Sequence, residues 1–189
     1  FPLQGLASPL NRQLNDRGKM KEQILTVLLA ALLLLLAGCG VEDRAQAYYE
    51  RGMQLYEEGE LAKARLEFKN VLQIDPKHAP SWLHLAQIAA KDEKWRQALS
   101  AYGKTLEFDP QNRQARLKRG HLLLAANRAD EALEDAEALL ATEAADADAL
   151  ALRGLTRKRQ GDLAAAEADA AAALTASPEH PQALTLMAG

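Results

Sequence analysis

Prolines recur at a fixed interval along this chain. Pro76 and Pro110 are 34 residues apart, and Pro178 follows Pro110 after 68 residues, twice that interval. A fixed period of this length predicts one repeated supersecondary unit that buries its apolar face by stacking on its neighbours. Alignment on the prolines gives four full blocks, 45–78, 79–112, 113–146 and 147–180, and the start of a fifth at 181–189.

Each block has the composition of a pair of helices. The chain is 48% hydrophobic but only 5% aromatic, and alanine, leucine and glutamate are abundant, which favours helices. Asp-Pro pairs end the first two blocks, because proline cannot continue a helix. We therefore predict an all-α fold. Small residues recur at two block positions where helices must approach closely: Gly52, Ala86, Gly120 and Gly154 at the eighth, and Ala64, Ala98, Ala132 and Ala166 at the twentieth.

The blocks resemble the tetratricopeptide repeat (TPR) family over residues 45–189. That resemblance implies helix A–turn–helix B units stacked into a right-handed solenoid, with Gly59 and Gly161 in the turns between helices. It also implies a concave groove, lined by the A helices, that binds proteins or peptides. Because the pattern stops inside a fifth block, we expect the native chain to continue beyond Gly189.

The last two full blocks depart from the family pattern. Arg116 replaces a large apolar residue in the third block, and Arg157 replaces an apolar residue in the fourth. Ala136 and Ala170 occupy the helix B position where the first two blocks carry an aromatic ring. A ring-to-alanine change loses about 3 kcal/mol of packing unless the helices close in. We therefore expect the C-terminal half to be looser than the first half.

The segment from Met20 to Cys39 has the features of an export signal. Lys21 supplies a positive start, and residues 24–37 are almost entirely apolar. This run is short of the roughly 20 apolar residues that a membrane-spanning helix needs. Small residues before the only cysteine of the chain fit a peptidase site. We predict a signal peptide at 20–38, and the alternative is a short buried helix that ends at an incidental cysteine.

Residues Leu36, Ala37, Gly38 and Cys39 resemble the lipobox of bacterial lipoproteins. The resemblance implies that the Cys39 thiol is lipidated, that cleavage occurs before it, and that acyl chains anchor the protein to a membrane. Gly40 follows in place of an inner-membrane retention aspartate, which favours the periplasmic face of an outer membrane. We expect residues 1–19 to be an upstream extension that is not native or is disordered, and residues 39–44 to be a linker.

Catalytic, metal and cofactor sites are not predicted. The histidines show no ligand spacing, phosphate-binding glycine loops are missing, and no serine lies in a nucleophile elbow. A net charge of −3 is too small to indicate nucleic acid binding. We predict no enzyme activity, no cofactor and no metal. The four histidines are His78, His84, His121 and His180.

The family pattern assigns particular helix A positions to the groove. The first block contributes tyrosines and a methionine, which suit an adaptable contact surface, although the tyrosines could instead only cover the first helix pair. The lysine–asparagine clamp by which some TPR arrays hold chaperone carboxylates is missing, and only Lys118 keeps its charge. The predicted groove residues are Tyr49, Met53, Tyr56, Leu83, Gln87, Lys91, Leu117, His121, Leu124, Leu155, Lys158 and Arg159.

Together these features predict a lipid-anchored scaffold that binds protein partners in the bacterial cell envelope. The combination resembles envelope assembly factors for secretion, polysaccharide export or outer-membrane assembly, including the TPR lipoproteins of exosortase (PEP-CTERM) systems. One alternative is that the repeats are the recognition arm of a larger enzyme whose catalytic domain lies beyond residue 189. A cytoplasmic adaptor would require an inert leader.

Overall fold

The computed structural model describes Met20 and residues 40–188, and these residues form helices joined by turns. Cys39, the upstream extension and the rest of the predicted signal peptide lie outside the described residues. The described helices, in chain order, are α1 (40–57), α2 (Leu61–Ile74), α3 (Ala79–Lys91), α4 (Trp95–Phe108), α5 (Arg113–Ala125), α6 (Ala129–Thr142), α7 (Ala147–Gln160), α8 (Leu163–Ala176) and α9 (Pro181–Met187).

The helix boundaries follow the 34-residue period. Odd-numbered helices are the A helices of successive repeats, and even-numbered helices are the B helices. Residues from Tyr48 to Gly189 form one compact unit, and the preceding residues are assigned to another. Residues 40–44, predicted as a linker, are helical, since this stretch has no proline and continues directly into the helix of the first repeat. The all-α prediction is confirmed.

The turn inside each repeat uses a left-handed backbone at one fixed position. Gly59 (φ 80°) and Gly161 (φ 90°) adopt it without steric cost, as the sequence indicated. Glu93 (φ 58°) and Asn127 (φ 60°) adopt it in the second and third repeats, although they carry a Cβ atom. The turn geometry is therefore kept in all four repeats, at some conformational cost in the middle two.

The last residue of each block caps the A helix of the next repeat. Asn112 and Asp146 accept a hydrogen bond from the backbone N–H three residues later. His78 and His180 do the same with Nδ1. An N-cap stabilises a helix by about 1 kcal/mol. Two of the four histidines are thus helix caps.

Close approach at the eighth block position is confirmed. A Cβ atom on Gly52 would lie 2.8 Å from the Phe68 ring, and one on Gly120 would lie 2.5 Å from Cδ2 of Leu152. Only glycine fits without displacing a buried side chain at these two positions.

The expected looseness of the C-terminal half is wrong at the alanine positions. Leu152 of the fourth repeat is fully buried in one cluster with Ala136 of the third. In the first repeat Phe68 supplies the ring itself, and His84 of the second repeat stacks on it with ring centroids 4.9 Å apart. A large residue at the sixth position of the next repeat therefore fills the space that the missing ring leaves.

An arginine–carboxylate pair joins the two helices of three repeats. Arg119 donates two hydrogen bonds to the buried Asp135, at 2.6 and 2.8 Å. Arg153 binds Asp169 in the same way, and Arg51 makes a longer contact of 3.4 Å to Glu67. A buried charge is tolerated only when it is paired in this way.

The two arginines that break the apolar pattern belong to the same clusters. Arg116 lies 3.4 Å from Asp135, and Arg157 donates to Asp169 at 2.8 Å. Each of these carboxylates, already bound by an arginine of helix A, thus gains a second guanidinium partner. These departures from the family pattern are therefore accounted for by the acidic partners on helix B.

Candidate protein-binding site

The A helix of the first repeat carries the tyrosines predicted to line the groove. Tyr49 packs edge-on against His78 (centroids 4.9 Å apart) and Tyr56 against His84 (5.2 Å). Both tyrosines and Met53 are half-buried against the core formed by Phe68 and its neighbours. The tyrosines therefore cover the first helix pair and leave only part of each ring accessible to a partner.

Further along, the A helices enclose an open cavity of about 590 Å³, named here the central cavity. It brings together two of the predicted groove residues, Leu117 and His121 of α5. The other residues that line it come from α3, α4, α5, α7, α9 and the turn before α9: Ala90, Tyr102, Lys118, Leu122, Asp148, His180, Pro181 and Gln182.

One side of the central cavity is a closed hydrogen-bond network. Asp148 accepts a hydrogen bond from Arg113 at 2.7 Å and another from His180 Nε2 at 3.1 Å. Because His180 Nδ1 accepts from the backbone N–H of Ala183, its proton is on Nε2. Arg113 holds the pKa of Asp148 below its usual value, so this carboxylate is ionised and already paired.

The cavity also carries polar groups that form no hydrogen bond or ion pair among the described residues. Tyr102 is only 2% exposed, yet its side chain lines the cavity and makes no hydrogen bond. Lys118 forms no ion pair within the part of the chain that the structure describes. Burial raises the pKa of Tyr102 to about 12, so its hydroxyl stays protonated and can donate.

The third of these groups is His121. Burial lowers its pKa, Lys118 and His180 act in the same direction, and Asp148 opposes them. At neutral pH the cavity therefore presents a lysine cation, a phenol and a neutral imidazole. Leu117 and Leu122 line the apolar part. This combination suits an apolar peptide side chain next to a hydrogen-bond acceptor or carboxylate.

The remaining predicted groove residues are not gathered at this cavity. Leu124 is buried in the core with Leu123 and Ala132, so its placement on an accessible surface is wrong. Its position in helix A turns toward helix B of the same repeat. The others keep some exposure along the A helices: Leu83, Gln87 and Leu155 are half-buried, while Lys91, Lys158 and Arg159 are exposed.

The predicted groove set omitted Tyr102, Lys118 and Gln182. Tyr102 occupies a helix B position that is buried in all four repeats, so the family pattern assigns it to packing. The sequence signal that could have identified Tyr102 is the residue sixteen positions after it, Lys118. At the same distance from Ala136 the chain has Leu152, which packs on that alanine. Lys118 instead leaves the phenol of Tyr102 open to the cavity.

Within residues 40–188 no cluster of three or more His, Cys, Asp or Glu side chains is arranged to bind a metal. Over the same stretch no helix combines the length and apolarity required to cross a bilayer.

Sequence profiles described as tetratricopeptide repeat match residues 45–78, 83–149 and 117–181. Among curated proteins, the peroxisomal targeting signal receptor of Komagataella phaffii is 43% identical over 65 residues, which are 34% of this chain and 11% of that protein. DnaJ homolog subfamily C member 3 of Bos taurus is 33% identical over 104 residues, 55% of this chain and 21% of that protein. The chain therefore spans only a small part of the length of these relatives.

Solved structures share the fold at low identity. MamA from Desulfovibrio magneticus RS-1 superposes with a TM-score of 0.70 at 21% identity, covering 77% of this chain and 82% of that one. YrrB, a TPR protein with an unusual peptide-binding site, gives 0.69 at 20%, covering 77% and 75%. PilW, a type IV pilus biogenesis factor, gives 0.63 at 23%, covering 74% and 64%. The profile matches, the 34-residue period and the paired helices agree: this chain belongs to the tetratricopeptide repeat family.

Proposed function

We propose that the repeats bind a protein or peptide partner through the A helices, with the central cavity as the principal contact. The observation that carries this proposal is the pair of unpartnered polar groups, Tyr102 and Lys118, in a cavity that Leu117 and Leu122 also line. Tyr102 is almost fully buried and Lys118 is charged, so both gain by meeting an acceptor from a partner. TPR proteins typically act as scaffolds without catalysis, which agrees with this function.

The partner is expected to place an apolar side chain between Leu117 and Leu122 and an acceptor near Lys118. Asp148 forms no ion pair with Lys118 within the described residues, and its carboxylate binds Arg113 and His180 instead. A cavity of about 590 Å³ is large enough for one or two side chains rather than a whole helix.

The binding test begins with a peptide library displayed on phage and selected against the purified protein. Affinities of the selected peptides are then measured for the native protein, Tyr102→Phe and Lys118→Glu. Tyr102→Phe removes only the hydroxyl, and Lys118→Glu reverses one charge. Both should weaken binding about tenfold, as expected for loss of one well-placed polar contact in a desolvated site. Lys77→Glu, at an exposed position in a turn outside the cavity, is the matched control.

Equal affinity for the native protein, Tyr102→Phe and Lys118→Glu would place peptide binding elsewhere. Tyr49→Ala combined with Tyr56→Ala then distinguishes the partly exposed tyrosine surface of the first repeat. Circular dichroism checks that each variant keeps its helicity.

We further propose that the protein is a lipoprotein held to a bacterial membrane through Cys39, at the periplasmic face of an outer membrane. The support is the order of features in the leader: Lys21, an apolar run, small residues and then Cys39. A role in secretion, polysaccharide export or outer-membrane assembly follows from that location, and PilW offers a pilus-related parallel among proteins of the same fold.

The anchor has a direct test in cells that carry the full reading frame. A clickable palmitate analogue should label the native protein and fail to label Cys39→Ala, which should also leave the membrane fraction. Cys39→Ser is a closer steric control and should behave like the alanine variant, because the chemistry requires a thiol. Fatty-acid labelling that persists without the cysteine would reject the anchor.

The second candidate is that the repeats form the recognition arm of a larger enzyme. Its support is that the chain spans only 11% and 21% of the length of two curated relatives, so such repeats occur as parts of longer proteins. The complete reading frame discriminates between the two: further 34-residue periods favour the scaffold, and a new domain with a catalytic motif favours the enzyme.

A further inference from the structure

The second repeat is the one place among the four described repeats where the internal arginine–carboxylate pair is replaced. The corresponding positions hold Leu85 on α3 and Ala101 on α4. In the third repeat the same positions hold Arg119 and Asp135, which are joined by two hydrogen bonds. The second repeat therefore lacks the arginine–carboxylate pair that joins the two helices of the first, third and fourth repeats.

A cleft of about 360 Å³ lies at this place, between α2 and α4, with α3 as its base; it is named here the outer cleft. Leu85, Ala101 and Trp82 supply apolar surface. The central cavity touches α3 only through Ala90, so the two sites use different surfaces of that helix.

Three cations line the outer cleft: Arg65, Lys69 and Arg96. Arg65 forms an ion pair with Asp92, which Lys94 also contacts at 2.9 Å. Lys69 and Arg96 form no ion pair within residues 40–188, and no carboxylate lines the cleft. Its polar edge therefore carries uncompensated positive charge.

The equivalent cleft of the third repeat has the opposite character. It measures about 270 Å³, is lined by Arg119 and Arg128, and carries Glu131 and Glu134 where the outer cleft has Gln97 and Ser100. The same backbone geometry thus gives a basic cleft in one repeat and a smaller cleft with balanced charges in the next. A shared property of the fold does not explain this difference.

We propose that the outer cleft is a second protein-binding site, which takes a segment carrying a large apolar side chain flanked by Asp or Glu residues. The apolar side chain contacts Leu85, Ala101 and Trp82, and the flanking carboxylates pair with Lys69 and Arg96. Charge complementarity at the edge and burial at the base together specify this chemistry. The site is independent of the proposed function at the central cavity, so either can fail alone.

The test uses Trp82, since the chain contains only two tryptophans. The full protein carrying Trp95→Phe keeps Trp82 as its single tryptophan, which is excited selectively over tyrosine at the red edge of its absorption. It is titrated with the peptide acetyl-Glu-Asp-Phe-Asp-Glu-amide and, separately, with acetyl-Lys-Lys-Phe-Lys-Lys-amide and acetyl-Glu-Asp-Gly-Asp-Glu-amide. Saturable change is expected with the first peptide, and affinity at least about tenfold weaker with the other two.

Two variants define the site. Leu85→Arg with Ala101→Asp copies the pair of the third repeat into the second and should abolish binding while circular dichroism stays native. Lys69→Glu with Arg96→Glu keeps the cleft open and should weaken binding about tenfold or more. Lys63→Glu with Lys77→Glu changes the net charge equally at exposed positions outside the cleft and should leave binding unchanged.

Three results would overturn the proposal. Binding that survives the copied Arg–Asp pair would place the peptide elsewhere. Equal loss in the Lys63/Lys77 control would reduce the effect to net charge. The third result is a stronger fluorescence response to vesicles containing phosphatidylglycerol than to the acidic peptide. If the copied Arg–Asp pair also removes that response, the ligand of the cleft is a lipid surface.

Discussion

Removing the Leu152 side chain should destabilise the junction between the third and fourth repeats strongly. Leu152 is 0% exposed, lies directly against Gly120, and shares one buried cluster with Ala136, Leu123 and Leu124. Leu-to-Ala changes in cores cost about 2–5 kcal/mol, with the larger values where the site cannot collapse. We expect Leu152→Ala to lower the free energy of unfolding by about 2–5 kcal/mol.

The glycine opposite supplies the second half of this experiment. In the native protein, a methyl group on Gly120 would lie 2.5 Å from Leu152 Cδ2, so Gly120→Ala overpacks the junction. Overpacking costs about 1–3 kcal/mol, against about 1 kcal/mol gained by removing a glycine from a helix. In the Leu152→Ala background the clash is gone, and Gly120→Ala should stabilise by about 1 kcal/mol or more.

Urea unfolding followed by circular dichroism at 222 nm measures all four proteins of this double-mutant cycle. The coupling energy should be about 1–3 kcal/mol, with the double mutant more stable than the sum of the single changes predicts. Leu163→Ala is the control, because that leucine is 57% exposed and should lose well under 1 kcal/mol. If Gly120→Ala has the same effect with and without Leu152, the packing argument is refuted.

Three other predictions concern turns, buried charge and pH. Glu93→Gly should raise the free energy of unfolding by about 1 kcal/mol in the same urea assay, because φ is 58° there, whereas Gly59→Ala should lower it. Asp135→Asn should cost about 3–5 kcal/mol by leaving the Arg119 charge unpaired, whereas Glu131→Gln, which breaks an exposed pair, should cost less than about 1 kcal/mol. The free energy of unfolding should fall as the pH drops below about 6.5, because burial lowers the folded-state pKa of three histidines and the unfolded chain then binds more protons. Urea midpoints measured at several pH values should show a smaller decrease for His84→Gln than for the native protein. Constant midpoints across this range would contradict the lowered pKa values. The three histidines are His78, His84 and His121.

The fold could be predicted because its signals recur at the same block positions. The small residues occur in all four blocks, the prolines in three and the turn glycines in two, and each indicates a local backbone requirement at the 34-residue period. Even where glycine is missing, Glu93 and Asn127 occupy the same turn. Local chemistry plus periodicity therefore sufficed to place the helices.

The central cavity could not be predicted in the same way, because its properties depend on pairs of residues in different repeats. Whether Tyr102 is covered depends on Lys118 in the next repeat, and whether Ala136 leaves a void depends on Leu152. Reading each repeat against the family pattern treats these positions separately. That approach led to the expected looseness of the C-terminal half and to the assignment of Leu124 to the groove.

The pairing across junctions also limits how such an array can be shortened or recombined. Deleting residues 79–112 would keep the period and place Phe68 beside Lys118, a ring next to a flexible chain as in the native Tyr102 junction. Deleting residues 113–146 would keep the same period but set Tyr102 against Leu152, a branched side chain that faces the small Ala136 in the native chain. Two excisions of identical length therefore have different structural consequences, and the repeats of this chain are not interchangeable modules.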